Sequence, residues 1–503
     1  MKSKKISLYS FLLLVTLFIS NSFAQQDKLQ KIDEFINNAM KDWEMPGFSV
    51  AIVKNDSVIF AKGYGVRNIN KSDPVDENTL FVIASCSKAF TTASLAILVD
   101  QGKIKWDDPV TKYLPDFQMY DPWVTKEITI RDVTSQKSGL ETFSGDFLWL
   151  NSTYDRKEVI KRARFLKSTS SFCSKYGYQN IMFITAAEII KAVTDTAWAE
   201  YVRAHILDNL GMKHTDTSYK IFNNDDNAAK GHYKKDNVMK VFTDTQIDNA
   251  HGALGINSSA VEMSQWIRLQ LGKGKYNGKR IFSERQSAEM WSNQTPIGTM
   301  NYGLGWFIRY YNGKRMLNHG GGMPGMISDV TLVPEENFGF VILSNYETGM
   351  VGAVRNYISD LFTNTEPKDW EKLMLDGFGR RKEMQEKEFK RREEIQVKDS
   401  KPSLPLEKYC GIYEDKMYGK AEVSLKDGNL FLQFNPTPTF RGELKHYQYD
   451  MFYIDWEDEF LTRGWVKFDM NFNGDITKMT FEVPNSPDFI FTELMFEKSP
   501  EKK

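Results

Sequence analysis

The chain of 503 residues is too long for one ordinary compact core, so two or more domains are expected. Hydrophobic residues make up 41% and aromatic residues 13%, which allows a large buried core and argues against global disorder. Lysine and arginine together number 65 against 66 acidic residues, so the chain has no strong net charge to attract anionic partners, and neither nucleic acid nor an anionic membrane surface is predicted as a partner.

The N-terminus has the pattern of a secretory signal peptide. Lys2, Lys4 and Lys5 precede an apolar run from Ile6 to Ile19, and Ser22-Phe23-Ala24 supplies small residues for cleavage after Ala24. The run is short for a membrane span, and no later stretch approaches the roughly 20 apolar residues that spanning needs. We therefore expect a periplasmic or secreted protein without a membrane span after cleavage; an uncleaved anchor is the alternative.

A helix and a hairpin are predicted next. Apolar residues at helical spacing predict a helix over residues 28–44, with a stripe made of Leu29, Ile32, Ile36, Met40 and Trp43. Strands are predicted at Phe48–Val53 and Val58–Tyr64, around the turn Asn55-Asp56. A longer region, richer in helix, follows to about residue 300.

The segment Ser85-Cys86-Ser87-Lys88 stands before an apolar helical run, Phe90–Val99. Residues three apart share a helix face, so Lys88 is expected beside Ser85 at a helix N-terminus, which favours developing negative charge. A serine hydroxyl needs a neighbour to take its proton, and a lysine can do so when burial lowers its pKa. The spacing alone is weak, because a second S-x-x-K occurs at Ser499–Lys502.

Tyr178-Gln179-Asn180 opens another predicted helix, which continues through Ile190. A tyrosine near the lysine can exist partly as phenolate and can pass a proton to a leaving group. Asn180 offers an amide for a substrate carbonyl and for Lys88. The same spacing recurs at Tyr310-Tyr311-Asn312, across a predicted hairpin turn, so a structural role remains the alternative.

Strand patterns return near the end of this region. Four short, turn-bounded segments predict strands at Gly305–Tyr310, Arg315–Asn318, Ser328–Val333 and Gly339–Ser344. Strands at both ends of the region with helices between them predict one antiparallel sheet packed against helices, an α+β fold. His319-Gly320-Gly321-Gly322 enters these strands, where glycines would let a strand edge approach a substrate and direct an N–H at its oxyanion; a flexible loop is the alternative.

The composition changes over residues 366–402. These 37 residues hold 11 basic and 10 acidic side chains, which predicts a solvated helical linker, with a partner-binding site as the alternative. Further on, Asp427-Gly428 and Asn473-Gly474 each separate two strand-like segments. Successive hairpins over residues 403–498 predict a small antiparallel barrel or sandwich without catalytic residues.

Cysteine and histidine usage suggests no cofactor. Cys86, Cys173 and Cys410 cannot all pair internally, and free thiols are expected. The six histidines are scattered, without a His-Glu-x-x-His motif or cysteine pairs at zinc spacing. No metal and no other cofactor is predicted.

In chain order, the serine, tyrosine and glycine-flanked elements resemble the serine β-lactamase and penicillin-binding protein superfamily. The likeness is greatest to its class C β-lactamase-like branch of related serine hydrolases, and covers about residues 28–362. It extends to the segments Phe81–Phe90, Ile128–Leu140, Leu210–Met212 and His319–Gly325. The resemblance implies an antiparallel sheet packed against a helical region, with the site between them. Tyr409–Tyr413 begins a segment that more loosely resembles the lipocalin-like domain attached to such enzymes.

The resemblance also implies roles for single residues. Ser85 would be the nucleophile, Lys88 its base, and Tyr178 the proton shuttle. The sequence leaves the deacylation base open, with Tyr178 as the best candidate. Backbone N–H groups of Ser85 and Gly322 would form the oxyanion hole. Substrate contacts are implied for Asn180, His319, Gly321 and Gly322.

One departure bears on specificity. Many superfamily members have Lys-Thr-Gly where this chain has His319-Gly320-Gly321, and the lysine and threonine grip a substrate carboxylate. Histidine is mostly neutral near pH 7 and glycine has no hydroxyl. Loss of a charge-assisted hydrogen bond of about 1.5–3 kcal/mol would weaken carboxylate recognition roughly tenfold or more.

The sequence therefore predicts a signal peptide (1–24), a catalytic domain (25–365), a charged linker (366–402) and a lipocalin-like domain (403–498). The expected function is an exported serine hydrolase that forms an acyl-enzyme on Ser85. Its small-molecule or peptide substrates are expected to be amides or esters, with D-amino-acid-containing peptides or esters favoured. A β-lactamase or DD-carboxypeptidase, and a catalytically silent binder of cell-wall fragments, are the alternatives; oligomeric state is left open.

Overall fold

The computed structural model describes residues 24–242, 245–459, 461–483 and 490–500, so the predicted signal peptide, apart from Ala24, lies outside the described residues. Within the described residues before 345 there are fourteen strands. They are β1 (Gly47–Lys54), β2 (Ser57–Gly65), β3 (Phe81–Val82), β4 (His232–Lys235), β5 (Val238–Val241), β6 (Asn257–Ser258), β7 (Lys275–Tyr276), β8 (Lys279–Arg280), β9 (Thr295–Ile297), β10 (Met300–Tyr302), β11 (Phe307–Tyr311), β12 (Lys314–Met323), β13 (Met326–Val333) and β14 (Phe338–Ser344).

Eight of these strands form one antiparallel sheet in the order β2-β1-β14-β13-β12-β11-β10-β9, and the other six pair as three two-stranded ribbons. Strands β1 and β14 are antiparallel neighbours, second and third in this order, with Ala51 opposite Val341. The two chain ends of this region thus contribute strands to one sheet, as the sequence predicted.

Helices cover both faces of the sheet. They are α1 (residues 24–42), α2 (Ser87–Asp100), α3 (Pro122–Glu127), α4 (Ile130–Thr134), α5 (Arg156–Arg162), α6 (Asn180–Thr194), α7 (Trp198–Val202), α8 (Asp208–Leu210), α9 (Tyr219–Asn223), α10 (Ala260–Leu271), α11 (Glu284–Met290) and α12 (Met350–Phe362). Alternate residues of β1 face opposite sides, so Val50 and Ile52 pack with α1 and α12, whereas Ala51 and Val53 join the core shared with the remaining helices.

Strand β12 is longer than the sequence predicted. The predicted turn Asn312-Gly313 joins it to β11, and both residues have the positive φ that such a two-residue turn requires. Pairing with β11 stops at Asn318, whereas pairing with β13 continues to Met323. Among the described strands, none pairs with the β11-side edge of β12 beyond Asn318, and this is where the glycines lie.

The predicted linker contains a 25-residue helix, α13 (Trp370–Glu394), and none of its described residues is buried. It nevertheless contacts both flanking parts of the chain. Phe378 packs edge-on against Trp43, and Phe389 stacks on Trp465 with ring centroids 5.6 Å apart. The helix therefore bridges the two folded regions rather than standing free in solvent.

A closed eight-stranded antiparallel barrel follows. Its strands are β15 (Gly411–Asp415), β16 (Gly419–Lys426), β17 (Asn429–Phe434), β18 (Arg441–Gln448), β19 (Met451–Trp456), β20 (Gly464–Met470), β21 (Ile476–Glu482) and β22 (Met495–Lys498). Buried aromatic rings such as Tyr413, Phe452 and Phe468 pack against one another inside it. The α+β fold followed by a β-barrel is thus confirmed, and the barrel, not the sandwich, is the form adopted.

Three further features concern the thiols, membrane spans and metal sites of the described residues. Cys86, Cys173 and Cys410 are all free thiols. No helix within the described residues combines the length and the apolar character needed to cross a bilayer. The same residues contain no group of three or more histidine, cysteine, aspartate or glutamate side chains placed to hold a metal ion.

Candidate active site

Ser85 lies on a single 3-10 turn, Ala84–Cys86, immediately before α2. Ala84 has a left-handed backbone with φ of 45°, a conformation that an L-residue keeps only when its surroundings fix it. Strand β12 crosses this turn closely. A Cβ added to Gly321 would lie 2.1 Å from the carbonyl oxygen of Ile83 and 3.0 Å from the nitrogen of Ser85. Glycine is therefore required at position 321 for the strand to pass this near the serine.

Lys88 follows Ser85 by one helical turn and is completely buried. Its Nζ donates to Ser85 Oγ at 3.0 Å, to Asn180 Oδ1 at 2.7 Å and to the backbone oxygen of Ala253 at 3.0 Å. Burial lowers the pKa of Lys88 from 10.5 to about 7, while the carboxylate of Asp146 acts in the opposite direction. A large fraction of this lysine is therefore neutral near neutral pH.

These three contacts fix the direction of the lysine lone pair. A neutral amine keeps two N–H donors, and amide and backbone carbonyl oxygens can only accept. Asn180 Oδ1 and the Ala253 oxygen retain the two N–H groups. The lone pair is then directed at Ser85, the single partner of the three with a proton to donate. The geometry suits transfer of the serine proton to Lys88.

Asp146 sets the orientation of Asn180, the first residue of α6. Asn180 Nδ2 donates to Asp146 Oδ2 at 2.6 Å, and Trp149 Nε1 donates to Asp146 Oδ1 at 2.8 Å. Because an ionised carboxylate only accepts hydrogen bonds, the amide nitrogen of Asn180 must face Asp146 and its oxygen must face Lys88. The buried Asp146 is thus a functional candidate that the sequence reasoning missed.

Tyr178 is buried beside the lysine, with its ring centroid 4.7 Å from Lys88 Nζ. Burial raises the pKa of Tyr178 well above its ordinary value of 10.0, and a side-chain hydrogen bond with Ser85 works against this shift. The side chain is therefore a phenol near neutral pH, and the partial phenolate considered from the sequence is disfavoured. As a phenol, Tyr178 is equipped to donate a proton.

His319 is almost fully buried and neutral. Its Nδ1 lies 2.6 Å from the Gly320 oxygen, which only accepts, so Nδ1 carries the proton and Nε2 accepts from Tyr302 Oη at 3.0 Å. Burial, together with the nearby Lys88 charge, lowers the pKa of His319 to about 3. It cannot replace the cation that related enzymes place here, as the sequence analysis anticipated.

A cavity of about 330 Å³ opens over these groups. Its walls are mainly apolar and aromatic, with lining residues Ser85, Thr142, Phe143, Asp146, Trp149, Leu150, Tyr176, Tyr178, Asn180, Leu254, Phe307, His319, Gly320, Gly322, Met323, Pro324 and Glu347. The two charged residues among them, Asp146 and Glu347, are acidic, and no lysine or arginine is included in this set of described residues. This size and lining suit a small, largely uncharged group.

The structure brings most of the sequence-predicted site together: Ser85, Tyr178, Asn180, His319 and Gly322 line the cavity, with Lys88 directly beneath. Gly321 instead packs against the Ser85 turn and is absent from the lining. The catalytic, substrate-contact and oxyanion roles themselves stay predictions.

Comparison with known proteins identifies the family. The beta-lactamase family model matches residues 32–364, more than half of the chain. This chain belongs to the beta-lactamase family. It is a serine hydrolase of the serine β-lactamase and penicillin-binding protein superfamily. A second model, a domain of unknown function (DUF3471), matches residues 396–498, which include the barrel.

Two relatives and one solved structure illustrate the similarity, each at low sequence identity. The unguisins hydrolase ungD' of Aspergillus campestris is 26% identical over 423 residues, covering 78% of this chain and 77% of that protein. Protein flp of Staphylococcus aureus (strain MW2) is 25% identical over 343 residues, covering 67% of each chain. The octameric penicillin-binding protein homologue from Pyrococcus abyssi aligns with a TM-score of 0.62 at 20% identity, over 93% of this chain and 100% of that one, which supports the shared fold.

Proposed function

We propose that this serine hydrolase is exported and cleaves amide or ester bonds through an acyl-enzyme on Ser85, with neutral Lys88 as the base. The observation that carries the proposal is the hydrogen bonding of Lys88. Two of its three partners accept only, so that its lone pair faces the Ser85 hydroxyl 3.0 Å away. Burial lowers the pKa of Lys88 to about 7, so a large fraction of the amine is neutral near pH 7 and can act as a base.

Acylation would begin when Lys88 takes the Ser85 proton and Oγ attacks the substrate carbonyl carbon. The oxyanion that forms would be stabilised by the backbone N–H groups of Ser85 and Gly322. Collapse breaks the bond to the leaving group, which must gain a proton. Tyr178 is in contact with Ser85 and is held as a phenol, so it is suited to deliver that proton.

Deacylation requires a base for the attacking water. Neutral Lys88 is better suited to this step than Tyr178, because burial lowers the pKa of Lys88 to about 7 and raises that of Tyr178 far above 10.0. Before the water attacks, the proton that Lys88 took from Ser85 would pass to the Tyr178 phenolate, which restores the neutral amine and the phenol. Lys88 would then take a proton from the water and return it to Ser85 Oγ as the acyl bond breaks. We therefore assign Lys88 to both half-reactions, and Tyr178 to proton donation.

The favoured substrates are D-amino-acid-containing peptides or esters without a free carboxylate beside the scissile bond. The preference for D-residues comes from the family resemblance. The absence of a carboxylate follows from the site: His319 is neutral, and the charged lining residues Asp146 and Glu347 are acidic. A penicillin or a peptidoglycan stem ending in a carboxylate would meet no charged partner at position 319. A β-lactamase or DD-carboxypeptidase is accordingly the second candidate.

Export is proposed from the charge, apolar run and small residues of the first 24 positions. Amino-terminal sequencing of the protein recovered outside the cytoplasm of an expressing bacterium tests it. A chain beginning at Gln25 supports export, whereas full-length protein retained in the cytoplasm contradicts it.

The catalytic proposal is tested by labelling the full mature chain with a fluorophosphonate and, separately, with a fluorescent penicillin, beside Ser85→Ala. Mass spectrometry then locates each adduct. We expect a fluorophosphonate adduct on Ser85, little penicillin adduct, and neither adduct on the Ser85→Ala variant.

The other outcomes select other functions. Comparable labelling of Ser85 by both reagents favours the β-lactamase or DD-carboxypeptidase candidate. No serine adduct with either reagent contradicts catalysis through Ser85 and leaves a silent binder of cell-wall fragments as the remaining reading.

A further inference from the structure

The C-terminal barrel contacts a loop that lines the active-site cavity. Residues 141–150, here called the wall loop, supply five of the cavity-lining residues: Thr142, Phe143, Asp146, Trp149 and Leu150. All of the residues that line the cavity fall between Ser85 and Glu347, so the described part of the barrel contributes none of them. The barrel also contacts the catalytic domain at other points, such as Arg162 and Lys240, but among these described contact segments the wall loop is the one that includes cavity-lining residues.

The carboxylate of Glu493, in the barrel region, accepts two hydrogen bonds from this loop. Glu493 Oε1 accepts from the hydroxyl of Ser144, and Oε2 accepts from the Gly145 N–H at 3.0 Å. Tyr418 Oη, also from the barrel, donates to the same Oε2 at 2.6 Å and fixes the carboxylate in place. The two gripped residues lie directly between Phe143 and Asp146.

The aromatic packing behind the loop adds to this grip. Phe147 is buried, and its ring meets Tyr418, Phe440 and Phe491 edge-on, with centroids 5.9, 5.6 and 4.8 Å away. These three rings come from separate segments of the barrel region. Phe147 is therefore held by packing, and Glu493 supplies the directional contacts.

On its other side the wall loop holds two residues of the site. The Phe143 N–H donates to the backbone carbonyl oxygen of Tyr178 at 2.8 Å, and the backbone N–H of Tyr178 donates to Thr142 Oγ1 at 3.1 Å. Asp146 accepts a hydrogen bond from Asn180 at 2.6 Å, and Asn180 in turn accepts a hydrogen bond from Lys88 Nζ. A continuous set of hydrogen bonds and adjacent backbone thus runs from the barrel to the lysine.

The loop backbone makes this support necessary. Phe143 and Gly145 both have positive φ, 65° and 81°, and for phenylalanine this conformation is strained. A strained loop keeps one geometry only when contacts on both sides hold it. A shift of about 1 Å at a catalytic group can cost roughly a hundredfold in rate.

We infer that Glu493 of the C-terminal barrel is a positioning residue of the active site, which holds the wall loop so that Asp146 and Asn180 keep Lys88 aimed at Ser85. The barrel is then part of the catalytic unit rather than an appended module. This inference rests on the proposed role of Lys88 as base.

The titratable groups around Lys88 make the effect measurable. Asp146 raises the pKa of Lys88, whereas its other titratable neighbours Cys86, Tyr178 and His319 are uncharged near neutral pH. If the wall loop relaxes and Asp146 moves away, the pKa of Lys88 falls further. The acid limb of the acylation rate would then shift to lower pH, while the rate on the plateau drops because the lysine is less well aimed.

The test compares full-length Glu493→Ala and Glu493→Gln with wild type. The measurement is the second-order rate constant for fluorophosphonate inactivation between pH 5 and 9. We expect Glu493→Ala to lower the plateau about tenfold or more and to move the acid limb by about 0.5 pH unit or more toward low pH. Glutamine keeps an acceptor for Gly145 and Tyr418 and a donor for Ser144, so Glu493→Gln should stay within about threefold of wild type.

Matched variants separate positioning from general damage. Glu497→Gln, an exposed glutamate on β22, should leave both plateau and limb unchanged. If Glu493→Ala does not fold, Ser144→Ala is used in its place, because it removes a wall-loop partner of the Glu493 carboxylate. It should shift the acid limb of the rate profile in the same direction.

Two results overturn the inference: a wild-type profile in Glu493→Ala, or a lower plateau with an unmoved acid limb, which would be a purely structural effect. Failure of the proposed function is distinct, because the wild type itself would then show no Ser85 labelling.

Discussion

The burial of Lys88 should make the free energy of unfolding depend on pH. The stability of the protein is expected to fall as the pH is lowered, because protonation of the buried amine is unfavourable. In the unfolded chain a lysine has a pKa near 10.5, whereas in the folded protein that of Lys88 is about 7. Between these two values the unfolded state binds the extra proton, so stability falls as the pH is lowered from 10.5 to 7 and is constant below 7. Each pH unit in this window is worth up to about 1.4 kcal/mol.

The perturbation is Lys88→Met, which fills a similar volume without a charge. The absolute stability of this variant also depends on the hydrogen bonds that it loses. The pH dependence of its free energy of unfolding, however, has no contribution from residue 88. Relative to this variant, the wild type should gain about 2 kcal/mol in the free energy of unfolding from pH 7 to pH 9. The difference should be flat below pH 6.

The assay is urea denaturation followed by tryptophan fluorescence at each pH, with the exposed Lys126→Met as the control. The Lys126 side chain is 83% exposed, so that variant should track the wild type at every pH. A difference between wild type and Lys88→Met that stays constant from pH 6 to 9 would refute the reasoning, because it would mean that Lys88 titrates alike in both states.

Three other consequences concern the rate of acylation. The fluorophosphonate rate constant of the wild type should reach half its plateau near pH 7, where Lys88 titrates, and fall about tenfold per pH unit below pH 6; a rate still rising above pH 9 contradicts a lysine of lowered pKa. Gly321→Ala should lower this rate constant about a hundredfold, because a Cβ there collides with the turn that carries Ser85. In Gly320→Ala the added Cβ meets only an oxygen at 3.7 Å, so the rate constant should fall by about tenfold at most. Tyr178→Phe should slow cleavage of amides by roughly 10²–10⁴-fold but that of p-nitrophenyl esters, whose leaving group needs no proton, far less; equal losses would argue against proton donation.

Much of the fold follows from local sequence patterns. The apolar stripe over residues 28–44 and the two following strand patterns correspond to α1, β1 and β2, because burial on one side imposes a period that a single segment reveals. The Asn312-Gly313 turn was equally legible, since its two residues tolerate positive φ. By contrast, β9 and β10 are three residues each and too short to show any alternation.

The candidate site was predictable where its geometry is local. Ser85 and Lys88 are three residues apart, so helix geometry alone places them together. Asp146 and Glu493 gave no such signal. Asp146 meets Asn180 across 34 residues, and Glu493 meets Gly145 across 348. Each looks in sequence like an ordinary loop or surface acid, and its role depends on the packing of distant segments.

The claim on which the account depends is that Lys88 titrates near pH 7, so that a large fraction of its amine is neutral there. Proton NMR correlated to ¹³Cε in lysine-labelled protein, with the Lys88 signal assigned by its loss in Lys88→Met, measures this directly. The account predicts a titration midpoint near pH 7 for that signal. A midpoint close to 10.5, the value of an ordinary lysine, would contradict it.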